Sequence, residues 1–489
     1  MERPTNLFDR EPEWRELARF VAMPLAGPLV AVVYGRRRHG KTYLLEELAA
    51  ACAGFYHQAL EEERTPALAR IAGAVSAFAG APELPGARFD DWATAFRSLA
   101  DQAGGRLIVL DEFPYLVRTS PELPSVIQAA LDAAKKQRHP SFRLVICGSA
   151  LSVMTELLTG QKALRGRATL DMLVHAFDFR DARRFWGVDD IETAFLLHAV
   201  LGGPPGYRDL LSGVGAPSAP EDLADWLAEG VLNPSHALFR EAEYLLAEDP
   251  ALTERSLYQS MIAAVAQGAA TRGKLADRIG RPTTALEHPL SQLERSGFLI
   301  RDEDLLHGRR PLLRIVDPLL RFHFAVVRQD QARFESRKTA DAWVAAQERF
   351  RSNVLGPHFE TIARHWTTTY ASEETLGGRP RRVGFAQVND PAMRQQFELD
   401  VVAEAGDSRS DGKPRFLAIG EAKASDGQRT LSDLNRLDRL RSALAARADV
   451  TGTKLLLFGR SGFRRDLQAA AGQRADVELI DLDRLYNGT

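Results

Sequence analysis

One octapeptide constrains this chain more than any other stretch: Gly35-Arg36-Arg37-Arg38-His39-Gly40-Lys41-Thr42. It fills every fixed position of the pattern G-x-x-x-x-G-K-[ST], with a buried strand before it and a helix beginning inside it, the context that pattern needs. Leu29-Val30-Ala31-Val32-Val33-Tyr34 reads as that strand, a continuous apolar run of the kind buried on both faces of a parallel sheet. Tyr43 to Ala53, rich in Leu, Ala and Glu, reads as the helix. The glycines let backbone N–H groups curl round a phosphate at the positive end of that helix. The whole loop, from Gly35 through Arg36, Arg37, Arg38 and His39 to Gly40, is therefore the expected phosphate cradle. Lys41 would reach the β- and γ-phosphates of ATP, and Thr42 would place its hydroxyl on Mg²⁺.

A second strand ends in two carboxylates: Arg106-Leu107-Ile108-Val109-Leu110-Asp111-Glu112. Asp111 is expected to hold the Mg²⁺ through water, and Glu112 to polarise the attacking water. Two carboxylates favour hydrolysis over binding alone, because a base is needed to activate water. The next strand, Phe142 to Cys147, leads into Gly148-Ser149, where Ser149 could sense the γ-phosphate. Helices are expected at about Pro66–Phe78, Asp90–Ala103 and Leu123–Gln137. Buried strands alternating with helices predict an α/β sheet covered on both faces.

The 489 residues have room for three or four domains. With 63 Lys and Arg against 65 Asp and Glu, the formal net charge is -2. A protein that coats nucleic acid would be strongly basic, so any contact with DNA must come from a local patch. Two cysteines, Cys52 and Cys147, exclude a disulfide framework and a cysteine-rich zinc site. No signal pattern and no membrane-length apolar run is present, which predicts a cytoplasmic protein without a membrane partner. His57, His139, His175 and His236 show no metal-ligand spacing, and no G-x-S-x-G or Cys/His nucleophile pattern occurs. The expected organisation is an α/β multidomain chain: a P-loop NTPase core with a parallel sheet over 1–170, a helical lid over 171–250, a winged helix over 251–327 and an α/β nuclease-like domain over 328–489.

At its two nucleotide motifs the chain resembles the archaeal-type ATPases of the AAA/STAND branch of P-loop NTPases. The resemblance extends to Phe8-Asp9-Arg10-Glu11 with Leu17, which is similar to that family's N-terminal box. It also extends to Leu164-Arg165-Gly166-Arg167 and to the turn Gly202-Gly203-Pro204-Pro205-Gly206-Tyr207. It implies that Arg167 contacts the γ-phosphate, in its own subunit or in a neighbour of an oligomer, and that the glycine–proline turn lies near the base. Bland alternatives stand beside these: an ordinary ion pair for Arg167, and a simple turn for the glycine–proline run.

Leu257 to Ala266, Thr271 to Gly280 and Pro282 to Ser296 read as three helices, followed by a hairpin of Gly297 to Arg301 and Leu312 to Ile315. This is a winged helix-turn-helix pattern, and the resembled ATPases carry one here. Arg272, Lys274, Arg278 and Arg281 could meet phosphates of DNA. Pro289 inside the third helix is expected to kink or interrupt it, and Glu287, Glu294, Asp302, Glu303 and Asp304 lie close by.

Gln395 to Ala403, with Phe397, Leu399 and Val401 alternating, and Phe416 to Lys423 read as a hairpin. Asp400 stands on one arm, with Glu421 and Lys423 on one face of the other. This resembles the PD-(D/E)xK nuclease fold, and Ile315-Val316-Asp317-Pro318-Leu319-Leu320-Arg321-Phe322 is similar to the segment that links such a domain to a winged helix. The resemblance implies that Glu360, Asp400 and Glu421 bind Mg²⁺ and that Lys423 orients water or steadies the phosphate. Two readings stay open. In one, ATP state controls a nuclease acting on DNA; in the other, a regulatory ATPase carries a catalytically silent C-terminal domain that docks a protein partner.

Overall fold

The computed structural model describes residues 1–81, 88–136, 141–159, 164–211, 213–308, 311–390, 395–408 and 412–489. His139 and the end of the helix expected to reach Gln137 lie outside them; the described helix is Leu123–Lys135.

Strands β1 (Leu29–Tyr34), β2 (Phe55–Gln58), β3 (Leu107–Asp111), β4 (Arg143–Gly148) and β5 (Leu170–Leu173) form one sheet in the order β2-β3-β4-β1-β5. Every pairing in it is parallel. Alternate residues of β1 serve opposite faces. Val30 and Val32 pack with Phe96 and Ile127, whereas Ala31 and Val33 pack with Leu44 and Leu48. Burial on both faces is why β1 reads as an unbroken apolar run. Because the strands are parallel, the loops after β1, β3 and β4 all open at the same edge, which brings Lys41, Asp111, Glu112 and Ser149 together.

Helices then dominate from Phe179–Trp186 to Ala237–Glu248. Three helices, Arg255–Ala266, Arg272–Ile279 and Thr283–Arg295, precede the antiparallel pair β6 (Leu299–Asp302) and β7 (Leu312–Ile315). The third helix is continuous through Pro289, contrary to the expected interruption. Pro289 is buried beside Leu290, so the ring serves as core-facing bulk.

The chain continues through the turn Pro318–Phe322, which widens without a break into a π-turn at His323–Val327. A second sheet follows: β8 (Pro380–Asp390), β9 (Gln395–Ser408), β10 (Pro414–Lys423), β11 (Lys454–Gly459) and β12 (Val477–Ile480), in the order β12-β11-β10-β9-β8. Pairs β8–β9 and β9–β10 are antiparallel; β10–β11 and β11–β12 are parallel. The helix Gly356–Thr369 covers one face through Phe359 and Trp366. The helix Leu431–Leu444 covers the other through Leu434 and Leu437. Among the described residues no helix is long and apolar enough to cross a membrane.

Candidate functional site

The loop after β1 is shaped by two left-handed residues, Arg38 at φ 70° and Gly40 at φ 81°. Gly35 admits no side chain, since a Cβ there would lie 2.3 Å from the Val174 carbonyl oxygen. Lys41 begins the following helix and turns its Nζ back onto the Arg36 carbonyl at 3.0 Å, ready to exchange that contact for phosphate oxygens. The Thr42 hydroxyl donates to Asp111 Oδ2 at 2.8 Å. Hydroxyl and carboxylate oxygens together are a hard donor set that fits Mg²⁺. Two further donors fix Asp111: the Glu112 N–H at 2.8 Å and the Tyr56 hydroxyl at 3.0 Å. Tyr56 was not evident from sequence, because β2 is short and its residues carry no motif.

Glu112 has φ 50°, a left-handed conformation unusual for a non-glycine residue and of a kind that clusters at functional sites. Its carboxylate accepts from the Ser149 hydroxyl at 3.0 Å. Burial, then the neighbouring Asp111 charge, raises its pKa, while Lys41 opposes the rise. A carboxylate moved toward neutrality is a better proton acceptor for water. Glu112, Tyr115 and Ser149 line a cleft closed on its far side by Glu248, Ser296 and Phe298.

Each arginine of the loop is ion-paired with an acid of a later segment, and Arg36 and Arg37 also line the cleft with Glu112 and Ser149. Arg36 pairs with Asp317 at 3.2 Å and lies over the Phe298 ring at 4.6 Å. Arg37 pairs with Glu248, and Arg38 with Glu241 at 3.0 Å. The His39 ring lies 3.0 Å from the Val174 carbonyl, and burial holds its pKa well below the usual value, so it brings no charge to a phosphate. Arg10 donates to the His39 carbonyl at 2.9 Å and bolts the loop from outside. The glycine–proline turn also braces the loop: the Gly206 N–H donates to the Arg38 carbonyl at 3.1 Å, and the Tyr207 hydroxyl to Asp317 at 3.1 Å. Arg167 pairs with Asp132 at 3.4 Å and is not among the residues lining the cleft beside Glu112.

Around the second sheet, the carboxylates of Glu360, Glu398 and Asp400 lie within 4.8 Å of one another. A β-bulge aims Asp400. The pairs Gly384–Val402 and Ala386–Leu399 differ by one in register, so Asp400 and Val401 together oppose Phe385. The bulge breaks the expected alternation: Leu399 packs toward the Leu431–Leu444 helix, and Val401 toward the Gly356–Thr369 helix. Burial and then Glu360 push Asp400 up to about 8, although it accepts the Ala422 N–H at 2.7 Å. Loss of solvent, then Asp400, pushes Glu398 up to about 7. Glu360 is raised as well, chiefly by burial. A cluster that resists carrying its charges suits a divalent cation. Glu398 was missed because a lone Glu two residues before Asp400 reads as a solvated strand position.

The structure does not bring Glu421 and Lys423 to this trio. They share the face of Ile419, toward the Leu431–Leu444 helix. Buried Glu421 is held by Arg429 at 3.2 Å and by Arg436. Lys423 Nζ reaches Asp433 at 2.6 Å. Of the four residues carried over from the nuclease resemblance, only Glu360 and Asp400 meet. The basic positions of the three-helix segment are also partnered: Arg272 with Glu287, Arg278 with Gln267, and Arg281 with Glu254 at 3.8 Å. Lys274 makes no ion pair among the described residues.

Comparison with known proteins places the first site in context. Residues 7–189 match a family model described as an ATPase domain predominantly from Archaea. An uncharacterized protein of Methanocaldococcus jannaschii is 26% identical over 418 residues, spanning 84% of this chain and 87% of that protein. Among solved structures, the Walker-type ATPase PABY2304 of Pyrococcus abyssi is 19% identical, with 66% of this chain and 97% of that chain covered and a TM-score of 0.49. The Aeropyrum pernix ORC2 protein is 16% identical, covers 69% and 96%, and has a TM-score of 0.45. The family match and the loop geometry agree: this part of the chain is similar to archaeal ATPase domains and carries the groups that ATP binding and hydrolysis need.

Proposed function

We propose that ATP binding and Mg²⁺-dependent hydrolysis in this domain control a C-terminal metal-dependent nuclease-like unit acting on DNA. In the first site, backbone N–H groups and Lys41 hold the phosphates, Thr42 and Asp111 hold the Mg²⁺, and Glu112 takes the proton of the attacking water. Ser149 keeps Glu112 aimed. In the second, the Glu360, Glu398 and Asp400 carboxylates are the cation ligands; a bound cation would polarise a phosphodiester and supply hydroxide. The three helices and the β6–β7 hairpin are read as a winged helix between the two.

One observation carries the control. Asp317, which receives Arg36 of the phosphate loop, caps the N-terminus of the turn Pro318–Phe322, and Arg321 of that turn lines the cavity containing Glu360 and Glu398. Any shift of the loop on binding ATP is thus passed along one helical turn to the carboxylates. The test is cleavage of single- and double-stranded DNA with Mg²⁺ or Mn²⁺, with and without ATP, beside Lys41→Ala and Asp400→Asn. Cleavage lost in Asp400→Asn and altered by ATP in the wild type but not in Lys41→Ala is the expected result. Cleavage that persists in Asp400→Asn would refute the assignment.

A second reading is favoured by the closed network around Glu421 and Lys423. Both are consumed by Arg429, Arg436 and Asp433, which suits a catalytically silent domain that docks a protein partner under ATP control. ATP hydrolysis with no cleavage in any metal would select it.

A further inference from the structure

The cavity beside the carboxylates is built from both neighbours of the β6–β7 hairpin and encloses about 260 Å³. Its walls carry Lys274 from the Arg272–Ile279 helix, Arg314 from β7, Arg321, and Arg364 from the Gly356–Thr369 helix, facing Glu360 and Glu398. The positive groups are not equivalent. Arg314 is satisfied by Asp302 at 2.6 Å, and Arg364 donates to the Asp400 carbonyl at 2.8 Å with Asp302 at 3.8 Å.

Arg321 differs. It is only 5% exposed, donates from Nη2 to the Ile315 carbonyl at 2.9 Å, and has no carboxylate in ion-pair contact among the described residues. Burial, with Arg314 adding repulsion, lowers its pKa to about 10. Glu360 and Asp302 offset this cost only in part and from beyond ion-pair contact, so a further anion entering the cavity is favoured beside Arg321. Across the cavity Lys274 is exposed, makes no ion pair among the described residues, and its charge is felt at Glu398.

We propose that this cavity is a phosphate-ester site in which Arg321 and Lys274 grip the phosphate while the carboxylate trio holds a cation against it. Arg321 supplies fixed planar donors, and Lys274 a mobile point charge. The three-helix segment is then half of the substrate site and not a separate reader of duplex DNA. At about 260 Å³ the space lies just below the usual span of small-ligand pockets, roughly 300–1,000 Å³, and is large enough to take a phosphate group. The inference rests on the reading of the trio as a cation site for the metal, and on Arg321 and Lys274 alone for the phosphate.

The test uses full-length protein saturated with ADP, so that the first site is filled. A fluorescent single-stranded oligonucleotide is titrated in EDTA and in Ca²⁺, with inorganic phosphate and thymidine monophosphate as competitors. Lys274→Ala should weaken binding about three- to tenfold at low salt and flatten the slope of log K against log salt by roughly 0.7, the share of one contact with a single strand. Lys274→Glu should weaken it further. Arg321→Gln should act in the same direction, and the exposed Lys274 variants keep the test valid if that buried variant does not fold. Competition by thymidine monophosphate at the oligonucleotide's own affinity identifies a free phosphate ester as the ligand; weak competition identifies a strand. Unchanged affinity and salt slope in both Lys274 variants would overturn the proposal, as would no binding of any probe. Loss of the Ca²⁺ increment in Asp400→Asn should leave the Lys274 effect intact. If Ca²⁺ adds nothing even in the wild type while the Lys274 effect remains, only the cation reading fails.

Discussion

The proposed nucleotide control runs through the Arg36–Asp317 pair, whose energetics can be isolated. Both side chains are buried, at 8% and 3% exposure, and are 3.2 Å apart. Arg36 Nη2 makes no hydrogen bond among the described residues, so the ion pair with Asp317 is what balances its charge. Asp317→Asn removes that charge and keeps the helix cap, since asparagine caps about as well as aspartate and the Leu320 N–H keeps its acceptor. The Tyr207 hydroxyl, which donates to Oδ2, then faces an amide NH₂ and must turn to accept from it. Leaving one member of a buried pair alone costs about 3–5 kcal/mol. Stacking of Arg36 on Phe298 is present in both proteins and cancels from the difference. The expected loss is therefore about 3–5 kcal/mol in the first urea transition of the nucleotide-free protein, followed by tryptophan fluorescence. Arg36→Met should cost a similar amount, and the double variant far less than the sum, with an interaction energy of about 2 kcal/mol. Additivity within about 0.5 kcal/mol would mean that the two groups do not sense each other, and the coupling argument would be wrong.

Glu112→Gln should keep ATP binding and lower hydrolysis by about 10²–10⁴-fold, measured as kcat for phosphate release. In the wild type, the acid limb of the kcat–pH profile should lie above the ordinary carboxylate pKa, because burial favours protonated Glu112 and that form cannot accept a proton. The carboxylate trio makes its own pH signature. Asp400 and Glu398 are raised to about 8 and about 7 in the folded chain, so the native state binds protons that the unfolded chain has released. Their contribution is present below about pH 4 and is lost as pH rises toward 8. Metal-free protein should accordingly show a falling Tm over that window, with less fall in Asp400→Asn, and Mn²⁺ should raise Tm more at pH 8 than at pH 5. Arg436→Ala should loosen Glu421 and increase Mn²⁺ affinity, read by isothermal titration, if Glu421 is a latent ligand; unchanged affinity would make it purely structural.

Much of the first site was legible because its chemistry is contiguous. A strand, a glycine loop and a helix carry the cradle in one octapeptide, and parallel pairing delivers Asp111, Glu112 and Ser149 to the same edge. What stayed hidden there is non-local. Nothing at Phe55-Tyr56-His57-Gln58 announces a strand or a ligand to Asp111, since only four residues pair and one of them is exposed. Strand β5 was hidden for the opposite reason to β1: as an edge strand it has little burial and no apolar run, and it extends to Leu173. In the C-terminal unit, the topology was partly visible and the site geometry was not. A strict two-residue alternation puts Leu399 and Val401 on one face, but the bulge at Asp400 and Val401 separates them and swings Asp400 toward Glu360 and Glu398. A bulge is set by the register of the partner strand, which no local pattern encodes.

The three arginines of the phosphate loop show what the motif leaves open. The pattern constrains only the glycines, Lys41 and Thr42, because the phosphate is met by main-chain N–H groups. The positions between are free, and a run of arginine there invites the inference that charge is aimed at phosphate. Here each arginine meets a different acid: Asp317, Glu248 or Glu241. Glu241 and Glu248 lie on the Ala237–Glu248 helix, and Asp317 leads to Arg321. The side chains of the loop are thus committed to the segments that follow. If ATP binding is sensed through these ion pairs, replacing the three arginines with alanine should leave ATP hydrolysis in place while cutting it off from the carboxylate cavity.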